Sequence, residues 1–385
     1  MHIVIAPDSF KGTLPSNQII EIISAEARLH FPNATITGIP IADGGEGTLA
    51  AVLSSRGGRL RHLTVLNPLF EKTKAAYGIL EEPGAEPSAV VEMAAASGLT
   101  LLRPDQRCAL KTTSYGTGEL IADALKLGIR KITTAVGGSA TNDGGMGAMA
   151  ALGFRFLDKN DKEVTPSGEN LIRVARIDTS DILPALKENI SVTVMCDVRN
   201  PFTGPCGATY IYGPQKGASS EALALLEEGM QHFADVIKSD LGKDISDIAG
   251  AGAAGGLGGA LCAFLNGEMK SGIQTMLDLV RFEELIKNAD LIITGEGRAD
   301  GQSAQGKVLW GIGTNAKKKG IPVIAVVGGM LPDAGQLYDC GITAIVPALN
   351  YAMPLSEVLN QAGGLLHDAA ERTFLLLKTG MSITG

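Results

Sequence analysis

Short, uninterrupted apolar runs alternate with helical patterns at both ends of this 385-residue chain, and they constrain its fold more than any other feature. His2-Ile3-Val4-Ile5-Ala6 reads as a buried strand that stops at Pro7 and a turn containing Gly12. Pro15, at home in a first helical turn, introduces a helix over Ser16–His30 with Ile19, Ile20, Ile23 and Ala27 on one face. Residues 34–41 read as the next strand. Asp43-Gly44-Gly45-Glu46 then opens a helix that runs to Ser55 and stops at Gly57-Gly58. The last hundred or so residues repeat the grammar, with strands at 289–294, 321–327 and 342–346 and helices near 306–318 and 355–377. Strands that are apolar throughout, alternating with helices, predict a parallel sheet covered on both faces.

The middle of the chain is less regular. Strands are predicted at 73–80, 89–93, 131–136, 191–196 and 209–212, and helices at 116–127, 145–152, 219–241 and 271–279. This pattern reads as a second α/β domain inserted into the first. One domain would comprise 1–64 and 284–385 and the other 65–283, with two chain crossings and a cleft between them. A sequential pair of domains is the alternative.

Composition narrows the function. Net charge is 33 − 41 = −8, and no basic block exceeds Lys317-Lys318-Lys319, so no nucleic-acid partner is expected. The five cysteines form no CxxC pair and the five histidines no HExxH group, which argues against zinc and a disulfide framework. The chain opens on a strand rather than a leader, so a cytoplasmic protein is expected. Residues 248–265 carry no charge, but six glycines among those 18 residues leave too little hydrophobicity for a membrane span.

Glycine is the outlying residue, 49 of 385, against an average of about 7%. Many glycines sit just after a predicted strand, beside an acid or a lysine. The clusters are Pro7 to Thr13, Ala42 to Thr48, Gly137 to Gly145, Cys196 to Pro201 and Thr294 to Gly301. In an open parallel sheet, ligands bind beyond the carboxyl ends of the strands. Glycine there lets backbone N–H groups point at phosphate oxygens; lysine adds a point charge, and aspartates hold Mg²⁺ or accept a hydroxyl proton. The set suits phosphoryl transfer better than acyl or hydride chemistry. Asp43 and Glu46 also match a capping box, but Asp-Gly-Gly-x-Gly recurs at Asp143–Gly147, and a cap does not require those glycines.

Two fingerprints are discounted. Gly250-Ala251-Gly252-Ala253-Ala254-Gly255 fits GxGxxG, yet no clean strand precedes it, and a tightly packed small-residue helix is the better reading. Gly301 to Lys307 fits the start of a P-loop, but Val308 stands where the Mg²⁺-binding Ser or Thr should be.

Six segments in order, PDSFKGTLPS, PIADGGEGT, VGGSATNDGGMGA, CDVRNPFTGPCGA, GAGAAGGLGGAL and ITGEGRADGQSAQGK, closely resemble the bacterial class I glycerate kinases. The resemblance implies a flavodoxin-like parallel-sheet domain built from both chain ends and an inserted α/β domain of mixed sheet, with the active site in the cleft between them. It also implies an ATP- and Mg²⁺-dependent kinase acting on D-glycerate, and it leans towards 2-phosphoglycerate over 3-phosphoglycerate as product. Within that expectation Lys11, with the Asp8–Gly12 amides and Ser9, meets anionic oxygens of substrate or phosphate. Asp43 and Asp197 are candidates for general base or metal ligand. Glu296 and Asp300 orient Mg²⁺ or the substrate hydroxyls, Asp300 being the second metal candidate. Gly137, Gly138, Ser139 and Asn142 form a phosphate-cradling loop, and Gly44, Gly45, Glu46 and Asp143 are further phosphate or substrate contacts. A nicotinamide-dependent hydroxyacid dehydrogenase and a non-catalytic two-lobed binding protein are the readings from other classes.

Overall fold

The computed structural model describes residues 1–45 and 47–384, without the side chain of Thr384; Glu46, an expected site residue, lies outside the described residues. The chain forms two compact units. The first comprises Met1–Asp43, Ala50–Arg56 and Gly272–Gly385, and the second Gly44–Leu49 and Gly57–Ser271.

The first unit is built on five parallel strands. Across the sheet they run Ala344–Pro347, Val323–Val327, Leu291–Gly295, His2–Pro7 and Thr35–Gly38. Numbered along the chain this is the doubly wound order 2-1-3-4-5, whose direction of winding reverses between His2–Pro7 and Leu291–Gly295. Ile3, Ile5, Leu291, Ile293, Ile324 and Val326 pack with residues of the helices Ser16–His30 and Leu355–Thr384, among them Ile19, Leu366 and Phe374. Val4, Ile292 and Ala325, pointing the other way, are equally buried. Burial on both faces explains why these strands read as continuous apolar runs, each large side chain contributing about 1.5–3 kcal/mol.

The second unit holds a six-stranded mixed sheet in the order Glu268–Lys270, Ser191–Met195, Lys131–Ala135, Ser88–Glu92, Lys72–Leu80 and Arg59–Leu66. The first four are mutually parallel and the last two antiparallel. The edge strand Arg59–Leu66 has no counterpart among the predicted strands: its sequence RLRHLTVL is charged and largely exposed, and only pairing with Lys72–Leu80 makes it a strand. Pairing also places it in the second unit, although residues up to 64 are expected in the terminal domain. The predicted strand at 209–212 is instead part of the short helix Ala208–Tyr212. Ala208 and Thr209 are buried while Tyr210 and Ile211 are exposed, a one-sided burial that outweighs the β-preferring residue types.

The glycine-rich segment 248–265 forms an α-helix only from Leu257 to Leu265. Ala254, Gly255 and Gly256 before it all have positive φ, and a Cβ on Gly255 would collide with the Thr141 carbonyl. These residues let one loop pack against the backbone of another. Among the described residues no helix is long and apolar enough to cross a membrane.

Candidate active site

In the first unit, the ends of the two strands that flank the reversal of winding carry acids. Pro7 and Gly295 are register partners, so Asp8 and Glu296 emerge side by side. The Asp8 amide donates to the Gly295 carbonyl at 2.8 Å and fixes their relation. Both side chains are nearly sealed from solvent, at 6% and 7% exposure. Burial, reinforced by the charge of Asp43, pushes the Asp8 carboxyl up to about 6 against the pull of Lys11 and Ser9. Burial likewise raises Glu296 to about 7, with Ser303 and Lys307 opposing and the charges of Asp8 and Asp300 adding to the rise. Glu296 Oε1 is buried without a hydrogen-bond partner. Together the pair makes a strand-end site short of positive charge.

Lys11 supplies part of that charge. It stands on the turn after the first strand, where the Phe10 amide and the Leu14 carbonyl are bonded at 2.8 Å, and its Nζ lies 3.2 Å from Asp43 Oδ2. Burial alone would lower its pKa, but Asp43 and Asp8 outweigh it, so the ammonium is held charged. Ser9 donates its amide to Asp8 Oδ1 at 2.7 Å. Asp43 is no helix cap: the next helix is Thr48–Arg56, and the carboxylate serves Lys11 instead.

Asp300 is placed differently. Its Oδ1 accepts the amides of Gln302 and Ser303 at 3.0 and 3.2 Å, and its Oδ2 pairs with Arg298 at 3.1 Å. Burial would raise its pKa, but these bonds and the nearby Lys307 pull it below the usual range. Both oxygens are engaged in shaping the 298–303 turn, which weakens the expectation that Asp300 binds metal.

In the second unit, Gly137, Gly138 and Ser139 follow the central strand Lys131–Ala135. Among the described residues none of their three amides finds an acceptor, and Gly138 has φ +77°. Successive unpaired N–H groups around a left-handed glycine form a concave anion-binding nest. The loop's other groups are pinned: the Gly138 carbonyl by the Leu99 amide (2.8 Å), the Ala140 amide by the Ser97 carbonyl (2.9 Å) and the Ala140 carbonyl by Thr112 Oγ1 (3.0 Å). Gly44 and Gly45 lie against this loop, because a Cβ on Gly137 would stand 2.8 Å from Gly45 Cα and 3.1 Å from the Gly44 oxygen. Leu49 ties their segment down by donating its amide to Glu92 Oε1 at 2.7 Å. Asp197 follows the neighbouring strand Ser191–Met195 and accepts from Ser271 Oγ at 3.4 Å.

Asn142 and Asp143 correct the sequence reading. Both are fully buried. Asp143 accepts the Ser114 amide (2.7 Å) and hydroxyl (2.8 Å) together with the amides of Gly147 (3.1 Å) and Gly145 (3.2 Å). Burial raises its pKa even against these donors. This buried carboxylate, with four donors directed at it, joins the starts of the helices Tyr115–Lys126 and Met146–Ala151. Asn142 turns towards Thr209, its Nδ2 lying 3.4 Å from Thr209 Oγ1. The sequence reading did not single out Lys216, a fully buried lysine whose Nζ donates to the Thr141 carbonyl at 2.6 Å. Nothing in the local sequence PQKG distinguishes it from a solvated turn lysine.

A doubly wound sheet with two raised carboxyls and a lysine at its switch point, and a second unit with an amide nest after a central strand, together define the class: an α/β phosphotransferase scaffold. The sequence profile of the Glycerate kinase family matches residues 3–378. The chain is 43% identical over 385 residues to glycerate 2-kinase of Escherichia coli (strain K12), covering all of both chains. It is 42% identical over 377 residues to a glycerate kinase of Haemophilus influenzae, covering 98% and 99% of the two chains. A crystal structure of a protein from Salmonella typhimurium LT2 superposes with a TM-score of 0.87 at 40% identity, covering 99% of each chain. The chain belongs to the glycerate kinase family and is a kinase.

Proposed function

We propose that this protein transfers the γ-phosphoryl group of ATP to O2 of D-glycerate, releasing ADP and 2-phospho-D-glycerate. The chemistry is carried by the Asp8–Glu296 pair beside Lys11 at the switch point of the first sheet. The acceptor and its position are carried by full-length similarity to a glycerate 2-kinase.

Each unit supplies one part of the reaction. In the first, the Lys11 ammonium binds the carboxylate or phosphate oxygens of the substrates, and Asp43 orients it. Asp43 and Asp197 are the candidates from sequence for general base or metal ligand, but Asp43 is committed to Lys11. Glu296 is better suited: a carboxyl near 7 takes up the O2 proton at its unpartnered Oε1 as the oxygen attacks phosphorus. In the second unit the amides of Gly137, Gly138 and Ser139 receive ATP phosphates, with Gly44 and Gly45 allowing close backbone approach.

Mg²⁺ fits this chemistry. No group of three His, Cys, Asp or Glu capable of holding a metal occurs among the described residues. Mg²⁺ needs only one or two carboxylates besides phosphate and water, and the buried Asp8 carboxyl beside Lys11 can supply one. Asp8 would hold it. Bound there, the ion neutralises charge on the transferring phosphates. Five free cysteines fit a reducing compartment, the cytoplasm.

A coupled assay of ADP release with D-glycerate, followed by phosphorus NMR of the product, tests the proposal. Expected are ADP release dependent on D-glycerate and a 2-phosphoglycerate signal. Absence of ADP release removes the reaction, and a 3-phosphoglycerate product removes the choice of O2.

A further inference from the structure

Lys216 is an anomaly. It ends the short turn Pro214–Lys216, is 1% exposed, and makes one hydrogen bond among the described residues, to the Thr141 carbonyl. Burial of an ammonium costs several kcal/mol, and a single carbonyl with the nearby charge of Asp143 returns little of it. Methionine would fill the same space without that cost. The turn that carries Lys216 is nevertheless held in place: Gly217 has φ +85°, and a Cβ there would collide with the Arg107 carbonyl.

The bond falls at a consequential point. Gly138 and Ala140 are pinned by neutral partners, and Asp143 is locked by four donors. Thr141 lies between these anchors, with Gly255 packed against its carbonyl. Among the described residues its hydroxyl and the Asn142 Oδ1 are buried without partners, so the side-chain tether at Thr141 is Lys216. Burial brings the lysine down to about 7, with Asp143 opposing, which marks how poorly the surroundings compensate it.

We propose that Lys216 is a positioning residue for nucleotide binding: its bond to the Thr141 carbonyl holds residues 137–142 so that the amides of Gly137, Gly138 and Ser139 converge on the phosphates of ATP. This rests on the reading of that loop as the phosphate site. Lys216 touches no substrate and acts through the loop backbone.

The test compares Lys216→Met, Lys216→Gln and Gly138→Ala in the full chain, measuring KM for ATP and for D-glycerate together with the unfolding temperature. Expected for Lys216→Met is a rise of at least tenfold in KM for ATP with KM for D-glycerate within twofold. Lys216→Gln keeps a donor for the carbonyl and returns KM for ATP to within about threefold of the parent. If Lys216→Met does not fold, Lys216→Gln carries the comparison, and an ATP-selective rise in KM, smaller than tenfold, is then required. Equal changes for both substrates, or a lower unfolding temperature with both KM values unchanged, overturn the inference. If Gly138→Ala raises KM for ATP and the Lys216 variants do not, the inference alone fails. If Gly138→Ala leaves KM for ATP unchanged, the phosphate-loop reading fails, whatever the Lys216 variants show.

Discussion

Asp43 and Asp143 each open an Asp-Gly-Gly-x-Gly run. The Asp43 side chain keeps 23% of its exposure and meets Lys11 across 3.2 Å, whereas Asp143 is sealed and takes four donors from its own unit. The glycines diverge as well. A Cβ on Gly145 or Gly147 would strike Ala260 or Thr113, while around Gly47, whose φ of +93° by itself favours glycine, a Cβ would meet open space. One pattern therefore serves a charged site in the first case and a packed joint in the second. Glycines next to an acid declare tight backbone geometry, and burial decides whether the acid is available for chemistry.

The contrast can be broken or sharpened by mutation. The largest effect is expected at the chemical site itself. Glu296→Gln should lower kcat about 10²–10⁴-fold. In the parent, kcat/KM should fall as pH drops below about 7, because protonated Glu296 cannot accept the hydroxyl proton. A pH–rate profile in which the variant keeps that acid limb would assign it to another group. Next is Asp143→Ala, which strands four donors and should cost about 3–5 kcal/mol in urea unfolding. A stable Asp143→Ala protein that has lost only ATP affinity would show that both runs serve the site.

Asp43→Ala and Lys11→Ala should do the reverse. Each should lower kcat/KM at least tenfold while shifting stability by less than about 0.5 kcal/mol, because both side chains are solvent-accessible. Steady-state kinetics beside a thermal melt separates the two outcomes, and a large loss of stability would make this ion pair structural. The smallest effect is a pH dependence of stability. The Glu296 carboxyl is raised in the folded state, so its stabilising contribution is present below its unfolded value near 4.5 and disappears as pH rises through about 7. Glu296→Gln cannot ionise and should gain on the parent by something on the order of 1 kcal/mol between pH 5 and 8. Parallel melting curves over that range would show instead that the site holds Glu296 charged at little cost.

The doubly wound half of the fold was legible because its strands are buried on both faces and its helices carry one apolar face each. The predicted helix Ser16–His30 matches the structure residue for residue. Strand Arg59–Leu66 was illegible because its pairing with Lys72–Leu80, and not its residue types, makes it extended. The same limit applied at the site. Asp8, Lys11 and Glu296 could be named from their places after apolar strands, but the rise of two carboxyls towards neutrality depends on how their neighbours bury them. Lys216 gave no signal, since a lysine in a Pro-Gln-Lys-Gly turn is ordinarily solvated and only the fold encloses it.

By itself the sequence determined the family, the parallel sheet assembled from both chain ends and the glycine-lined strand ends, all of which depend on local order and periodicity. Tertiary structure alone decided which of two identical motifs stays near solvent, which acids are held near neutral pH and which lysine is sealed inside. Those outcomes depend on desolvation and on charges brought together from distant parts of the chain, quantities that no local pattern encodes.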